Sequence, residues 1–154
     1  MSEFPRDPAR HRLFRLTDLD DDKVAGREPD VRGWDLYDEE GTRLGQVEEL
    51  IVDADARRVR YLDVELDLKF ARTDNVVHRL VPVGLARLDE QAHHVLLNRT
   101  GRDGLLRTPA YSREDPVERE YEMALRRAYA PADPSPGATT TGFYDHDLYD
   151  HDRL

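Results

Sequence analysis

The sequence predicts a mainly β fold: a small β-barrel of about six strands, followed by a C-terminal amphipathic helix and an extended tail. Three observations support this prediction. Residues 30–66 contain three runs of strand-forming residues separated by two turn signals. The third run changes the phase of its alternation, as strands do when they bend to close a small barrel. Residues 115–130 carry apolar side chains at helical spacing.

The first two runs predict a hairpin. A short apolar run at residues 34–37 meets an acidic cluster that ends in Gly41, a residue that tolerates positive φ. The second run, residues 44–52, fits both helical spacing and alternation. Gly45 near its start, a β-branched pair at its end and the turn-like residues 53–56 favour a strand.

The third run, Arg58–Leu66, alternates cleanly but changes phase. In a regular strand Val59 and Tyr61 share one face, whereas three later apolar residues share the other face: Leu62, Val64 and Leu66. A β-bulge would account for the change, as would passage of the strand from one side of a curled sheet to the other.

The order and spacing of these residues resemble the PRC-barrel family, which includes the cytoplasmic domain of the photosynthetic reaction centre H subunit and stand-alone bacterial relatives. The resemblance is carried by Asp30, Arg32, Gly33, Trp34, Tyr37, Asp38, Gly41, Leu44, Gly45, Val47, Leu50, Val52, Asp53 and the run Val59–Leu66. It continues in His78–Leu88, which is similar to the family's segment around a Pro-Val-Gly sequence.

The resemblance implies a PRC-barrel domain over residues 13–98 and a role in docking. Members of the family serve as docking domains in larger assemblies, the reaction centre subunit and the ribosome maturation factor among them. The reaction centre subunit also helps to deliver protons to a quinone, but no motif here matches a proton path and none is assigned. The N-terminal membrane helix of that subunit is missing from the sequence, which argues against a photosynthetic role.

Composition sets further limits. The chain has 154 residues, of which 38% are hydrophobic and 36% are charged, and this suits one domain with an appendage. No run approaches the length of a membrane span, and the first residues lack the apolar core of a signal peptide, so we expect a cytoplasmic protein without direct membrane insertion. The lack of cysteine excludes disulfides and thiolate chemistry. A net charge of −10 disfavours nucleic acid as a partner.

The N-terminal part contains an acidic run that resembles a calcium loop. Residues 1–12 are polar and predicted to be irregular, and a short strand is expected from Leu13. If Asp18 took the first position of a calcium loop, Lys23 would replace the required glycine and Pro29 the required glutamate. The run is therefore interpreted as a solvated acidic turn.

The second half of the barrel is predicted as one strand and a hairpin. Pro82 marks an edge or an end of the strand from Arg79 to Val83, because proline cannot donate a ladder hydrogen bond. The hairpin turns at residues 89–92, and we expect one solvated and one half-buried imidazole at His93 and His94 just after it.

Residues 99–114 are predicted to be a linker, and residues 115–130 a helix. Asp115 is the expected N-cap, followed by proline at the first helical position and Glu118 at the third. The apolar stripe of this helix consists of Val117, Tyr121, Leu125 and Ala128.

The tail follows a Pro/Gly/Thr-rich spacer, and the two together cover residues 131–154. It repeats the sequence Tyr-Asp-His-Asp, whose aromatic groups are candidate anchors for a partner. A metal site is the alternative, although histidines five residues apart do not share a face of a strand or helix. The metal candidates are His146, Asp150 and His151, and the interaction candidates are Tyr121, Leu125, Phe143, Tyr144 and Tyr149.

The predicted function is a non-enzymatic protein–protein interaction or scaffold module without a cofactor. The expected partners are an unidentified protein and a second copy of the chain, contacted through the helix or the tail as a homodimer. Docking of both elements on their own barrel is the competing arrangement. The alternative function is a metal-binding protein or small enzyme that uses the Asp and His groups of the tail.

Overall fold

The computed structural model describes residues 13–18, 30–112 and 117–130. The mainly β fold class is confirmed, with a helix at the C-terminal end of the described chain. The strands are β1 (Leu13–Arg15), β2 (Asp35–Asp38), β3 (Arg43–Asp53), β4 (Arg58–Leu66), β5 (His78–Pro82), β6 (Ala86–Asp89) and β7 (His94–Leu97). The helices are α1 (Leu68–Ala71), α2 (Arg99–Arg107) and α3 (Arg119–Tyr129), with 3-10 turns at Leu16–Asp18 and Val83–Leu85.

The seven described strands form one sheet in the order β5-β4-β3-β2-β7-β6, with β1 paired to the end of β3. Neighbouring strands are antiparallel except β2 and β7, which run parallel. No ladder among the described residues joins β5 to β6. Yet Val81 of β5 and Ala86 of β6 lie in the same apolar core, so the sheet curves around that core without closing into a ladder between its end strands.

The bulge expected in β4 is confirmed. Ile51 pairs with Tyr61 and Val52 pairs with Val59, which leaves Arg60 as an extra residue on β4. Val59 lies in the main core, whereas Tyr61 belongs to a second apolar cluster. The expectation that these two residues share a face is therefore wrong, because the extra residue between them shifts the alternation.

The turn predicted at Gly41 is also confirmed. Gly41 has a φ of +89°, in the left-handed region that favours glycine. Asp38 stabilises the turn, because its carboxylate accepts hydrogen bonds from the backbone N–H groups of Glu40 and Thr42, both at 2.9 Å.

A helix occupies much of the predicted linker, and the linker prediction is wrong for the residues of α2. Asn98 caps this helix by accepting a hydrogen bond from the Gly101 N–H at 2.8 Å. Glycines are typical of linkers, but Gly101 and Gly104 are both buried within this helix. A Cβ atom added at Gly104 would overlap the ring of Tyr129. The glycine therefore lets α2 and α3 approach each other closely.

The C-terminal helix is present but starts later than predicted. The expected cap Asp115 and the proline after it lie outside the described residues. Val117 and Glu118 precede the helix, and Glu118 takes the N-cap position without a side-chain capping bond. The capping-box prediction for Glu118 is wrong, because the backbone enters the helix only at Arg119.

Candidate interaction surfaces

One half of the outer sheet surface is covered by α3. A second apolar cluster lies between this helix and strands β3, β4 and β5. Its fully or nearly buried members are Ile51, Tyr61, Leu80, Tyr111, Val117, Leu125, Ala128 and Tyr129. The helix thus docks on its own sheet, which is the alternative to the predicted contact with a second copy of the chain.

Polar groups fix the position of α3 on the sheet. The Tyr61 hydroxyl donates a hydrogen bond to the fully buried Glu122 carboxylate at 2.8 Å. Arg119 lies one turn earlier on the helix, with its guanidinium 3.6 Å from the other oxygen of Glu122. The Tyr129 hydroxyl donates to the backbone carbonyl of Leu80 at 2.8 Å. These directional bonds select one register of the helix, which apolar packing alone does not do.

Two tyrosines at this interface are held in the neutral form. Burial raises the pKa of the Tyr129 phenol well above its ordinary value, and burial also raises the pKa of Tyr121. The Tyr121 hydroxyl donates to the carbonyls of Pro109 at 3.0 Å and Ala110 at 3.2 Å. Both phenols therefore act as hydrogen-bond donors rather than as acid–base groups near neutral pH.

The residues that the sequence predicts as contacts for a partner do not form one exposed surface among the described residues. Leu125 has no exposed surface and faces its own sheet, so it is not accessible to a second chain in this structure. Tyr121 is half-buried beside it in the same cluster. The remaining interaction candidates, Phe143, Tyr144 and Tyr149, lie outside the described residues. The metal candidates His146, Asp150 and His151 also lie outside them.

The other half of the outer sheet surface carries no helix within the described parts of the chain. We call this surface the open face; it consists of the outward side chains of β2, β7 and β6. Register places Tyr37 beside Leu96 and Leu96 beside Arg87. Two adjoining depressions of about 450 and 340 Å³ cross it, both bordered by Glu39, Arg87 and Leu96.

Aromatic and imidazole rings pair at two places: Tyr37 and His94 on the open face, and Trp34 and His93 just outside its strands. Trp34 stacks on His93 with a centroid distance of 4.9 Å, and Tyr37 meets His94 at 4.5 Å in a tilted arrangement. His93 is exposed and His94 is half-buried, which confirms the expectation for the two imidazoles. Trp34 is half-buried against the main core, so it also has a structural role.

Charged side chains are distributed unevenly around the open face. Arg87 is exposed and makes no ion pair or hydrogen bond with a described residue. Glu39, Glu40 and Glu90 are exposed on the two turns that border the face. Asp35 is paired with Arg43 at 3.0 Å. Among the described residues, the open face is therefore a groove lined by aromatic and imidazole rings, with Arg87 as its unpaired cation and carboxylates at its border.

The described residues offer little for chemistry. No group of three or more His, Cys, Asp or Glu side chains could hold a metal ion among them. His93 and His94 have their rings against aromatic neighbours. The described helices are short and charged, and none has the length and hydropathy that crossing a bilayer requires.

Sequence reasoning missed the open face as a unit. Its members occupy alternate positions of three strands, and each strand was recognised separately. The missing fact is the parallel pairing of β2 with β7, which brings Tyr37 next to Leu96 across a large sequence separation. Turn signals predict hairpins between consecutive strands, but they contain no information about such a pairing.

Comparison with known protein families identifies the family of the chain. No curated protein matches the chain. The family model described as the PRC-barrel domain matches residues 27–103, which is half of the chain and includes β2 to β7. With the curved sheet, the bulged β4 and the order of strands already described, this match shows that the chain belongs to the PRC-barrel family.

Proposed function

We propose that this protein is a non-enzymatic interaction module that binds a protein partner through the open face. The observation that carries the proposal is the asymmetry of the sheet: β3, β4 and β5 are covered by α3, whereas β2, β7 and β6 present a ring-bearing groove. Membership of the PRC-barrel family supports it, since the domain is associated with protein interactions rather than with catalysis.

The chemistry of the groove fits a protein surface. Tyr37 and Leu96 provide apolar area, Arg87 provides a free guanidinium, and the bordering glutamates provide acceptors. Aromatic residues and arginine are the side chains most enriched where proteins bind each other tightly. The depressions are shallow and open along the sheet, whereas sites for small molecules enclose most of their ligand.

The charge of the chain argues for protein over nucleic acid. The net charge is −10, and the exposed glutamates of the bordering turns lie beside the open face. A phosphate backbone would be repelled there, and only Arg87 among the residues lining the groove could neutralise it. The proposal also includes a homodimer with contacts from Phe143, Tyr144 and Tyr149. The cytoplasmic location stays a prediction from the sequence.

Site-specific photo-crosslinking tests the proposal. A photoreactive amino acid replaces Tyr37 on the open face in one variant and Arg127, an exposed residue of α3, in the control. We expect a discrete crosslinked protein from the Tyr37 position that is absent from the Arg127 position. Leu96→Asp, added to the first variant, should abolish the product while circular dichroism shows the fold retained.

The opposite result would refute this assignment of the surface. If both positions yield the same products, or if Leu96→Asp leaves the crosslink unchanged in a folded protein, the open face is not the binding surface.

A further inference from the structure

The two end strands of the sheet differ in how their outer edges are covered. Beside β5, the Tyr111 N–H donates to the carbonyl of His78 at 2.8 Å, and the Arg79 guanidinium donates to the carbonyl of Thr108. The segment after α2 thus follows the edge of β5. By contrast, β6 pairs with β7 alone among the described strands, and no described strand forms a ladder with its other edge.

A row of core side chains runs across β2, β7 and β6, and its last member, on β6, is not fully covered. Leu36, Val95 and Leu88 are in register across β2, β7 and β6 on the core side of the sheet. Leu36 and Val95 have no exposed surface, whereas Leu88 is only half-buried. One further strand beside β6 would cover Leu88, as β7 covers Leu36 from its side.

The outward side of β6 carries opposite charges two residues apart. Arg87 and Asp89 share this side, because side chains alternate along a strand. Arg87 has no described partner, and Asp89 accepts a hydrogen bond from the Ala92 N–H at 3.1 Å in the turn. A strand with this pattern is complementary to an antiparallel copy of itself.

We propose that β6 pairs antiparallel with β6 of a second copy, about a two-fold axis at Leu88. In this register each Arg87 lies opposite the Asp89 of the other copy, and the two Leu88 side chains lie side by side on the core side. The inference rests on the proposed role as an interaction module and specifies which edge self-associates.

The physical basis is strand addition at a free edge. Backbone groups on an unpaired edge hydrogen-bond readily to another strand, and natural proteins usually protect such edges. Opposite charges directly across an antiparallel ladder stabilise the pairing, whereas like charges weaken it. The four-residue strand gives a small contact, so the dimer forms and dissociates with concentration instead of being obligate.

The charge-swap test uses the full chain. Sedimentation velocity over a concentration series should show a monomer–dimer equilibrium for the unmodified protein. Arg87→Asp should weaken dimerisation by about tenfold or more, because it replaces two attractive contacts with two repulsive ones across the axis. The double variant with Arg87→Asp and Asp89→Arg should restore the dimer to within about threefold.

Two further variants separate charge from folding. Asp89→Asn keeps the acceptor for the Ala92 N–H but removes the negative charge, so it should weaken the dimer without disturbing the turn. Arg127→Asp on α3 makes the same charge change as Arg87→Asp at an exposed position away from β6 and should have no effect. Circular dichroism confirms the fold of each variant.

Several outcomes would overturn the inference: a monomer at every concentration, a dimer insensitive to Arg87→Asp, an equal effect of Arg127→Asp, or no restoration in the double variant. Failure here is distinguishable from failure of the proposed function, because crosslinking at Tyr37 to a different protein does not depend on β6 self-pairing. If an added peptide protects β6 in a strictly monomeric protein, the edge binds another chain and self-pairing is refuted.

Discussion

Replacing Leu125 with alanine tests how α3 is held. Leu125 is fully buried between α3 and the sheet, so the change removes three carbon atoms from a closed apolar environment. At ~0.8 kcal/mol for each buried carbon, the transfer contribution is ~2.4 kcal/mol. The cavity adds to this value, and leucine-to-alanine changes in protein cores cost about 2–5 kcal/mol. We expect a loss of about 3 kcal/mol in the free energy of unfolding.

Urea denaturation measures this loss, and protein concentration separates the two ways of docking the helix. If α3 packs on its own sheet, the loss is the same at low and high protein concentration, because the contact is intramolecular. Arg127→Ala, at an exposed position of the same helix, should change the free energy by less than about 0.5 kcal/mol. A loss below about 1 kcal/mol for Leu125→Ala, or one that varies with concentration, would refute docking within the chain.

Three further predictions follow from the packing and the buried phenols. Gly104→Ala should destabilise the protein by about 1–3 kcal/mol in urea titrations, because its Cβ would overlap the Tyr129 ring. Gly101→Ala is the matched control and should be neutral or stabilising, since its Cβ meets its nearest neighbour at an acceptable 3.4 Å. Gly41→Val should cost about 1 kcal/mol or more and lower the melting temperature, and an unchanged value would contradict the positive-φ turn. The raised pKa values of Tyr121 and Tyr129 mean that the unfolded chain loses protons first above pH 10.0, so stability should fall as pH rises beyond that value. Part of the phenolate absorbance should then rise only together with unfolding, and ionisation of all seven tyrosines in a fully folded protein would contradict the burial of these two groups.

The strands and hairpins were predictable because their signals are local. Alternation of apolar residues and turn residues such as Gly41 are sufficient to place β2, β3 and β4. The phase change in β4 was a correct sign of a bulge. The identity of the extra residue, Arg60, follows only from the pairing with β3.

Helix α2 and the docking of α3 were not predictable, because both depend on contacts between residues that are far apart in the sequence. Gly101 and Gly104 look like breakers in sequence, and only contacts from distant residues such as Tyr129 explain why a helix contains them. An amphipathic stripe that includes Leu125 shows that a helix face must be covered. The stripe has the same pattern whether its own sheet or a second chain covers it.

The parallel pairing of β2 and β7 also determines when the sheet can be completed during synthesis. β2 to β5 can pair in succession as the chain emerges, because each of these contacts joins consecutive strands. The edge of β2 that faces β7 stays unpaired until the residues of β7 have been made. A nascent chain or fragment that ends before His94 therefore exposes a strand edge that the complete chain covers. Closing this long loop is a late and entropically costly step, so premature termination produces a species prone to pairing with other chains.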